Sequence, residues 1–455
     1  MKKIMYMLFI AALLNSSENI ELLSLDNAID ILKSDNLEIQ TASMDVKISE
    51  KDAESASGNH WGKLTFIQDT SRSNDAGNVF GFKLSSREAT FGDFGFGASN
   101  MQMPQTDPTY LTTPPDTLNY PDDRNYFQSK LKYEVPLFTG FKITSYTDIM
   151  KSMIKMKSLE KEQVVNEKIY QVKKSFYDMA LLRESSKNLS TIYKNIEILE
   201  NTTKQMIEVG YAKNVDLLEV QAKKGHVRRL LKEIELNEKL LYQYISFLLN
   251  QNVTNILTPS LNVAMPEYDD ATILKNNLDI QKASTGLEIQ KSMTDVAKSS
   301  YYPTIGAFGE LSTADDTFLG SAYDHKAYTL GARLTWNIFN GGIDNANMEK
   351  SRIEELKTSL QAKLATKGIA LKIAQIRTEI QTLDEEIEYL QKEFELVNEI
   401  YKNYEGRYKE KLSSMNDVII KQSQQIEKIL LIQQTRNKRN ERIFELEKLA
   451  NGEVQ

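Results

Sequence analysis

Three carboxylates, Asp216, Glu219 and Asp417, are the residues whose types and spacing point most directly to a task. Asp216 and Glu219 lie three positions apart and so share one face of any helix that carries them, and Asp417 stands in a matching stretch further on. Acids repeated around a narrow mouth by several copies of a chain favour cations and repel anions. The competing task is structural: Asp is favoured at helix N-caps, which gives Asp216 and Asp417 a second reading as caps. Other chemistry is sparse. With no Cys and three His, at 60, 226 and 325 in unrelated segments, thiolate chemistry is excluded and a shared metal site is not expected. Gly92, Gly95 and Gly97 lack dinucleotide-binding spacing, and no phosphate-binding GK[ST] loop occurs. No nucleophile–base arrangement is present, so the chain reads as a non-enzyme without metal or cofactor. A formal charge of -7 argues against a nucleic-acid partner.

The elements around the carboxylates are read from where helix breakers fall. All nine Pro lie at or before 136 or within 259–303, leaving 137–258 and 304–455 free of them. These stretches are rich in Lys, Glu, Gln, Leu and Ile, as long helices require. Ile376, Ile380, Leu383, Ile387, Leu390, Phe394, Val397, Tyr401, Tyr404 and Tyr408 alternate spacings of four and three, a heptad seam that must pack on other helices. Val165, Ile169, Val172, Phe176 and Met179 form a shorter version.

The chain repeats itself. Asn36-Leu37-Glu38-Ile39-Gln40 matches Asn277-Leu278-Asp279-Ile280-Gln281, an offset of 241. Phe138-Thr139-Gly140 matches Phe339-Asn340-Gly341 at an offset of 201, which also pairs Asp216 with Asp417. The first copy therefore holds 40 extra residues, between about 65 and 130, read as a long surface loop over about 71–126. Each copy reads helix, strand, loop, strand, long helix, tip, shorter helix. The resulting division is a leader over 1–17, a first repeat over 18–250, a linker over 251–270 and a second repeat over 271–455. The leader rests on Lys2 and Lys3 followed by the apolar run Ile4 to Leu14, the layout of a secretory signal peptide.

Phe127, Leu131, Tyr133 and Val135 alternate with Gln128, Lys130, Lys132 and Glu134, and Tyr328, Leu330, Ala332, Leu334 and Trp336 alternate with Thr329, Gly331, Arg333 and Thr335. In an outer-membrane barrel the apolar face of such strands meets lipid and the polar face lines water. Trp61, Tyr301, Tyr302 and Trp336, at the strand ends nearest the helices, suit an aromatic girdle at the membrane interface. Four strands cannot close a barrel, and open edges are not tolerated in lipid. Oligomerisation is therefore expected, and three copies would supply twelve strands. A periplasmic or secreted coiled-coil scaffold, with the strands forming a soluble hairpin domain, is the alternative.

Together these landmarks resemble the TolC-type outer-membrane efflux protein family. They include Val135-Pro136-Leu137-Phe138-Thr139-Gly140 and Trp336-Asn337-Ile338-Phe339-Asn340-Gly341-Gly342, each closing a strand and opening a long helix. Tyr301-Tyr302-Pro303-Thr304-Ile305 resembles the family's helix-to-strand entry, and Gly210 through Leu218 its helix-tip turn. The resemblance implies a mainly α protein with a small β portion, two tandem repeats building a trimeric α-helical periplasmic barrel topped by a twelve-stranded β-barrel. It further implies an outer-membrane exit duct for efflux or type I secretion. The implied partners are a periplasmic adaptor and an inner-membrane transporter of the resistance-nodulation-division or ABC class.

By the same resemblance Tyr408 could hydrogen-bond the Asp216 tip and hold a pore shut, although packing alone also accounts for it. Gly210, Tyr211, Ala212, Lys411, Leu412, Ser413 and Ser414 are the adaptor-contact candidates. The chain departs from the family pattern at His60-Trp61-Gly62, where an aromatic-Pro entry is usual, and at Lys411, where Gly is usual. The segment Phe80–Phe94 resembles an insertion found in some members.

Overall fold

The computed structural model describes residues 22–96, 112, 114–321 and 323–451, so the expected leader lies outside the described residues. In chain order the elements are α1 (Leu25–Asp35), α2 (Leu37–Gly58), β1 (Lys63–Ser73), α3 (Ala76–Ser85), α4 (Asp116–Asn119), β2 (Arg124–Phe138), α5 (Lys142–Glu208) and α6 (Asn214–Leu249). There follow α7 (Asp270–Asn276), α8 (Leu278–Lys298), β3 (Thr304–Asp315), β4 (Lys326–Thr335), α9 (Ile343–Lys409) and α10 (Met415–Leu449). Both α5 and α9 contain 67 residues, which makes each roughly 100 Å long at ~1.5 Å per residue.

The helix expected to open each copy is two, broken at Asn36 in the first copy and at Asn277 in the second. Asn36 Oδ1 accepts the backbone N–H groups of Glu38 and Ile39, both at 3.0 Å, and so caps α2. Its Nδ2 donates to the Leu248 carbonyl at 2.8 Å, satisfying the end of α6. Asn277 does the same for Asp279 and Ile280, both at 3.1 Å, and for the Leu449 carbonyl at 3.0 Å. The asparagine that opens the repeated sequence motif is thus a two-way cap. Asn277→Ala is expected to cost ~1–3 kcal/mol, the penalty of buried polar groups left unpaired. The midpoint of urea unfolding should fall accordingly; an unchanged midpoint would mean that water replaces the side chain.

By their contacts the described residues fall into two compact units. The first comprises residues up to 49, 153–287 and those from 357 onward. Its core contains two clusters that are copies of each other. Leu32, Val172, Met179, Ile245 and Leu248 belong to one cluster; Ile273, Ile373, Ile380, Leu446 and Leu449 occupy the corresponding places in the other. A third cluster joins Leu189, Ile196, Val220, Tyr401, Tyr408, Met415 and Val418 from α5, α6, α9 and α10. Ile376, Ile380, Leu390, Tyr401 and Tyr408 of the heptad seam are buried.

The second unit, 50–152 and 288–356, holds an antiparallel sheet of order β1-β2-β3-β4. Register places Lys63 opposite Glu134, Lys132 opposite Glu310 and Thr304 opposite Thr335. Leu64, Phe66, Leu131, Tyr133, Leu311, Tyr328, Leu330 and Leu334 share one face and are all exposed. The opposite face carries the Lys130–Glu310 and Lys132–Glu134 ion pairs at 3.4 and 2.8 Å. At the entry to β1, Gly62 has φ +70°, and a Cβ there would lie 2.0 Å from the Glu134 carbonyl oxygen. This explains the departure at His60-Trp61-Gly62: only glycine fits so close to the neighbouring strand.

The first-copy loop differs from the expected plain surface loop. β1 continues to Ser73, β2 starts at Arg124, and α3, a 3₁₀ turn at Phe91–Phe94 and α4 lie between them. Val79 is buried and Phe82 stacks on Tyr126 of β2 at 4.2 Å between ring centres, so this segment packs back on the strand.

Candidate functional site: the helix tips and the apolar sheet face

The two tips are built alike. After α5, Gly210 N–H donates to the Ile207 carbonyl at 3.0 Å and Tyr211 N–H to that of Met206 at 2.8 Å. After α9, Lys411 N–H donates to Tyr408 at 2.9 Å and Leu412 N–H to Arg407 at 2.8 Å. These bonds require a left-handed residue, and Gly210 and Lys411 have φ of 80° and 70°. Lys411 therefore takes the conformation that Gly normally supplies. Its ammonium lies 3.1 Å from the centre of the Tyr211 ring, a cation–π contact of about 0.5–1 kcal/mol at an exposed site. That attraction offsets part of the backbone strain and ties one tip to the other.

Asp216 and Asp417 are not N-caps. The N-caps are Lys213 and Ser414, and each Asp is the third residue of its helix, reaching back to the cap. Asp216 accepts the Lys213 N–H at 2.7 Å. Asp417 accepts the Ser414 hydroxyl at 2.6 Å and its N–H at 3.2 Å, while Ser414 Oγ accepts the Asp417 N–H at 3.1 Å. The second tip has a complete capping box and the first only half of one, because a lysine side chain accepts nothing. The Ser414 hydroxyl, then its N–H, hold the Asp417 carboxyl below the usual range. Asp216, Glu219 and Asp417 are all partly exposed, and one oxygen of Glu219 is buried with no hydrogen-bond partner.

Tyr408 is buried, and its hydroxyl donates to Thr203 Oγ1 at 3.4 Å rather than to Asp216. Burial raises its pKa, and the charge of Asp216 adds to the rise. Sequence reading passed over three neighbours of this cluster. Thr203 is fully buried. Lys223 donates to Ser423 at 2.7 Å, linking α6 to α10. Glu200 of α5 holds Lys204 at 2.8 Å and Lys224 of α6 at 3.0 Å, and these lysines lower its pKa to about 2. The Glu200–Lys204 pair is legible at i,i+4 spacing; the links between helices are not.

In the second unit Trp61 and Tyr301 sit on 3₁₀ turns that precede β1 and β3, and Trp336 follows β4. All three, with Tyr302, are exposed. Two are held by their polar ends: Trp336 Nε1 donates to the Tyr301 carbonyl at 3.2 Å and Tyr301 Oη donates to Asn345 Oδ1 at 2.7 Å. The backbone carbonyl of Trp61 accepts from Tyr133 Oη at 2.6 Å. No described helix is long and apolar enough to cross a membrane. A group of Glu88, Asp315 and His325 could in principle hold a metal ion. Arg124 already pairs with Glu88, and Asp315 accepts backbone N–H groups of Thr317 and Ser321, so the group is satisfied as a clasp.

A small antiparallel sheet with paired long helices is a fold that solved outer-membrane channels share. Residues 271–440 match the family model "Outer membrane efflux protein". That match covers the second of the two repeats. Its fold is similar to that of CusC, with TM-score 0.78 at 13% identity over 94% of this chain and 92% of that one. It is also similar to the Campylobacter jejuni CmeC outer membrane channel, with TM-score 0.74 at 14% identity over 95% and 86%. The open state of the Neisseria gonorrhoeae MtrE outer membrane channel matches with TM-score 0.74 at 15% identity over 94% and 89%. No curated protein sequence matches the chain.

Proposed function

We propose that three copies of this chain close their sheets into one twelve-stranded barrel in the outer membrane and act as the passive exit duct of an efflux or type I secretion system. The observation that carries this reading is the four-stranded sheet with one continuous apolar, exposed face and two free edges, β1 and β4. A soluble scaffold would leave that face in water, whereas lipid accepts it. Trp61, Tyr301, Tyr302 and Trp336 would lie at the membrane interface. The tips, with Gly210, Tyr211, Ala212, Lys411, Leu412, Ser413 and Ser414, would meet a periplasmic adaptor. Power would come from an inner-membrane transporter of the resistance-nodulation-division or ABC class.

In the trimer, Asp216, Glu219 and Asp417 would recur around the mouth formed by the tips, with Tyr408 holding that mouth narrow. Purified protein added to planar bilayers is expected to give discrete conductance steps; a scaffold gives none. The triple variant Asp216→Asn/Glu219→Gln/Asp417→Asn should lower the cation-to-anion permeability ratio several-fold in the same bilayers. An unchanged ratio would remove these residues from the pore. Crosslinkers placed at Ala212 and Ser413 in cells should capture the adaptor.

A further inference from the structure

We propose that the seam between neighbouring copies repeats, residue for residue, the seam between the two halves of one chain, and that Arg333–Asp69 and Lys357–Asp45 are its ion pairs. The proposal rests on the trimeric reading above and adds its register. Two offsets relate the halves: 241 from α2 and β1 to α8 and β3, and 201 from β2 and α5 to β4 and α9. The sheet obeys both, since Lys63 opposite Glu134 becomes Thr304 opposite Thr335.

Within the chain the halves meet where β2 pairs with β3, and there Lys132 stands directly opposite Glu310, with Lys130 3.4 Å from the same carboxylate. Moving β2 forward and β3 back by the two offsets gives β4 beside the β1 of a second copy, with Arg333 opposite Asp69. The charges remain opposite in sign, and both residues lie on the polar face. Neither makes an ion pair with a described residue of its own chain.

The helices give an independent answer of the same kind. Inside one chain α5 lies along α8: Gln163 donates to Asp279 at 2.6 Å, Lys282 donates to Gln163 at 2.9 Å, and a Cβ on Gly286 would stand 4.0 Å from Met156 Cε. Leu159, Leu278 and Thr285 are 6, 5 and 0% exposed along these helices. Their counterparts Leu360, Leu37 and Met44 are 57, 59 and 54% exposed, an apolar face still waiting for its partner. Applied here, the offsets lay α9 of one copy along α2 of the next. Met156 and Gly286 become Lys357 and Asp45, again of opposite charge. A second copy of this chain is therefore the occupant that the exposed faces fit.

The absence of Cys makes the test clean. Facing residues of an antiparallel pair are close enough for a disulfide. The double variant Arg333→Cys/Asp69→Cys, oxidised in outer membranes, should give a non-reducing gel ladder ending at trimer. Arg333→Cys/Ser71→Cys, two residues out of register on the same face, should not. Equal or better linkage by the second pair, or none by either, overturns the register. Light scattering in detergent then separates the two levels: a trimer mass without the 69–333 link removes only the register, and a monomer mass removes the trimeric reading as well. For the helices, Lys357→Asp should lower the temperature at which the trimer dissociates on a semi-native gel, and adding Asp45→Lys should restore it. Failure of that rescue overturns the helical half.

Discussion

Leu330→Arg is expected to prevent assembly in the outer membrane, and Thr329→Arg, one residue away, to permit it. Leu330 is 75% exposed and lies among Leu311, Tyr328 and Leu334 on the apolar face. An arginine at the middle of the lipid face of a barrel costs ~2–4 kcal/mol, so three copies would lose roughly 6–12 kcal/mol per trimer. That loss is comparable with the whole stability of a typical domain. Thr329 points to the face that carries Lys130, Lys132 and Glu310, where a further charge meets water. Outer-membrane fractionation followed by unheated gel electrophoresis reads both variants. Normal assembly of Leu330→Arg together with failure of Thr329→Arg would reverse the assignment of the faces.

Tyr408→Ala should loosen the tips, whereas Tyr408→Phe should not. The ring is packed with Val220, Met415 and Val418, and truncating a buried aromatic side chain costs about 3–5 kcal/mol. Its hydroxyl makes one long bond to Thr203, worth ~0.5–1.5 kcal/mol. Thermal unfolding should therefore separate the two variants clearly. In planar bilayers Tyr408→Ala should raise the resting conductance, and Tyr408→Phe should leave it near the native value. Equal effects from both would assign the role to the hydroxyl, against the packing argument.

Much of this architecture was legible because it depends on periodicity and on where helix breakers fall. The spans of α5 and α9, the duplicated order and the alternation in β2 and β4 follow from Pro positions, heptad spacing and period-two patterning. What escaped depends on contacts between distant parts of the chain. Asn36 was visible as a repeated letter, but its bond to Leu248, far along the sequence, is what makes it a junction. The cap alternative for Asp216 and Asp417 rests on the preference for Asp at that position, whereas the third helical position uses the same carboxylate in reverse. Thr203 rather than Asp216 receives the Tyr408 hydroxyl because the heptad positions that bury the ring turn it into the helix interface. Helices in the first-copy insertion were hidden by prolines and glycines, which mark its turns but not the packing of Val79 and Phe82.

The unequal finish of the two tips has a consequence for anyone who would redesign the mouth. A duplicated chain carries a spare of every joint, so either copy can drift while its twin holds. Here each tip has kept one of two devices. The first retains the inexpensive left-handed turn at Gly210 but has Lys213 at its cap; the second retains the full Ser414–Asp417 box but has Lys411 in its turn. Positions 213 and 411 are thus the two places where the twin already specifies the missing part, and the sequence contains its own template for a stiffer entrance.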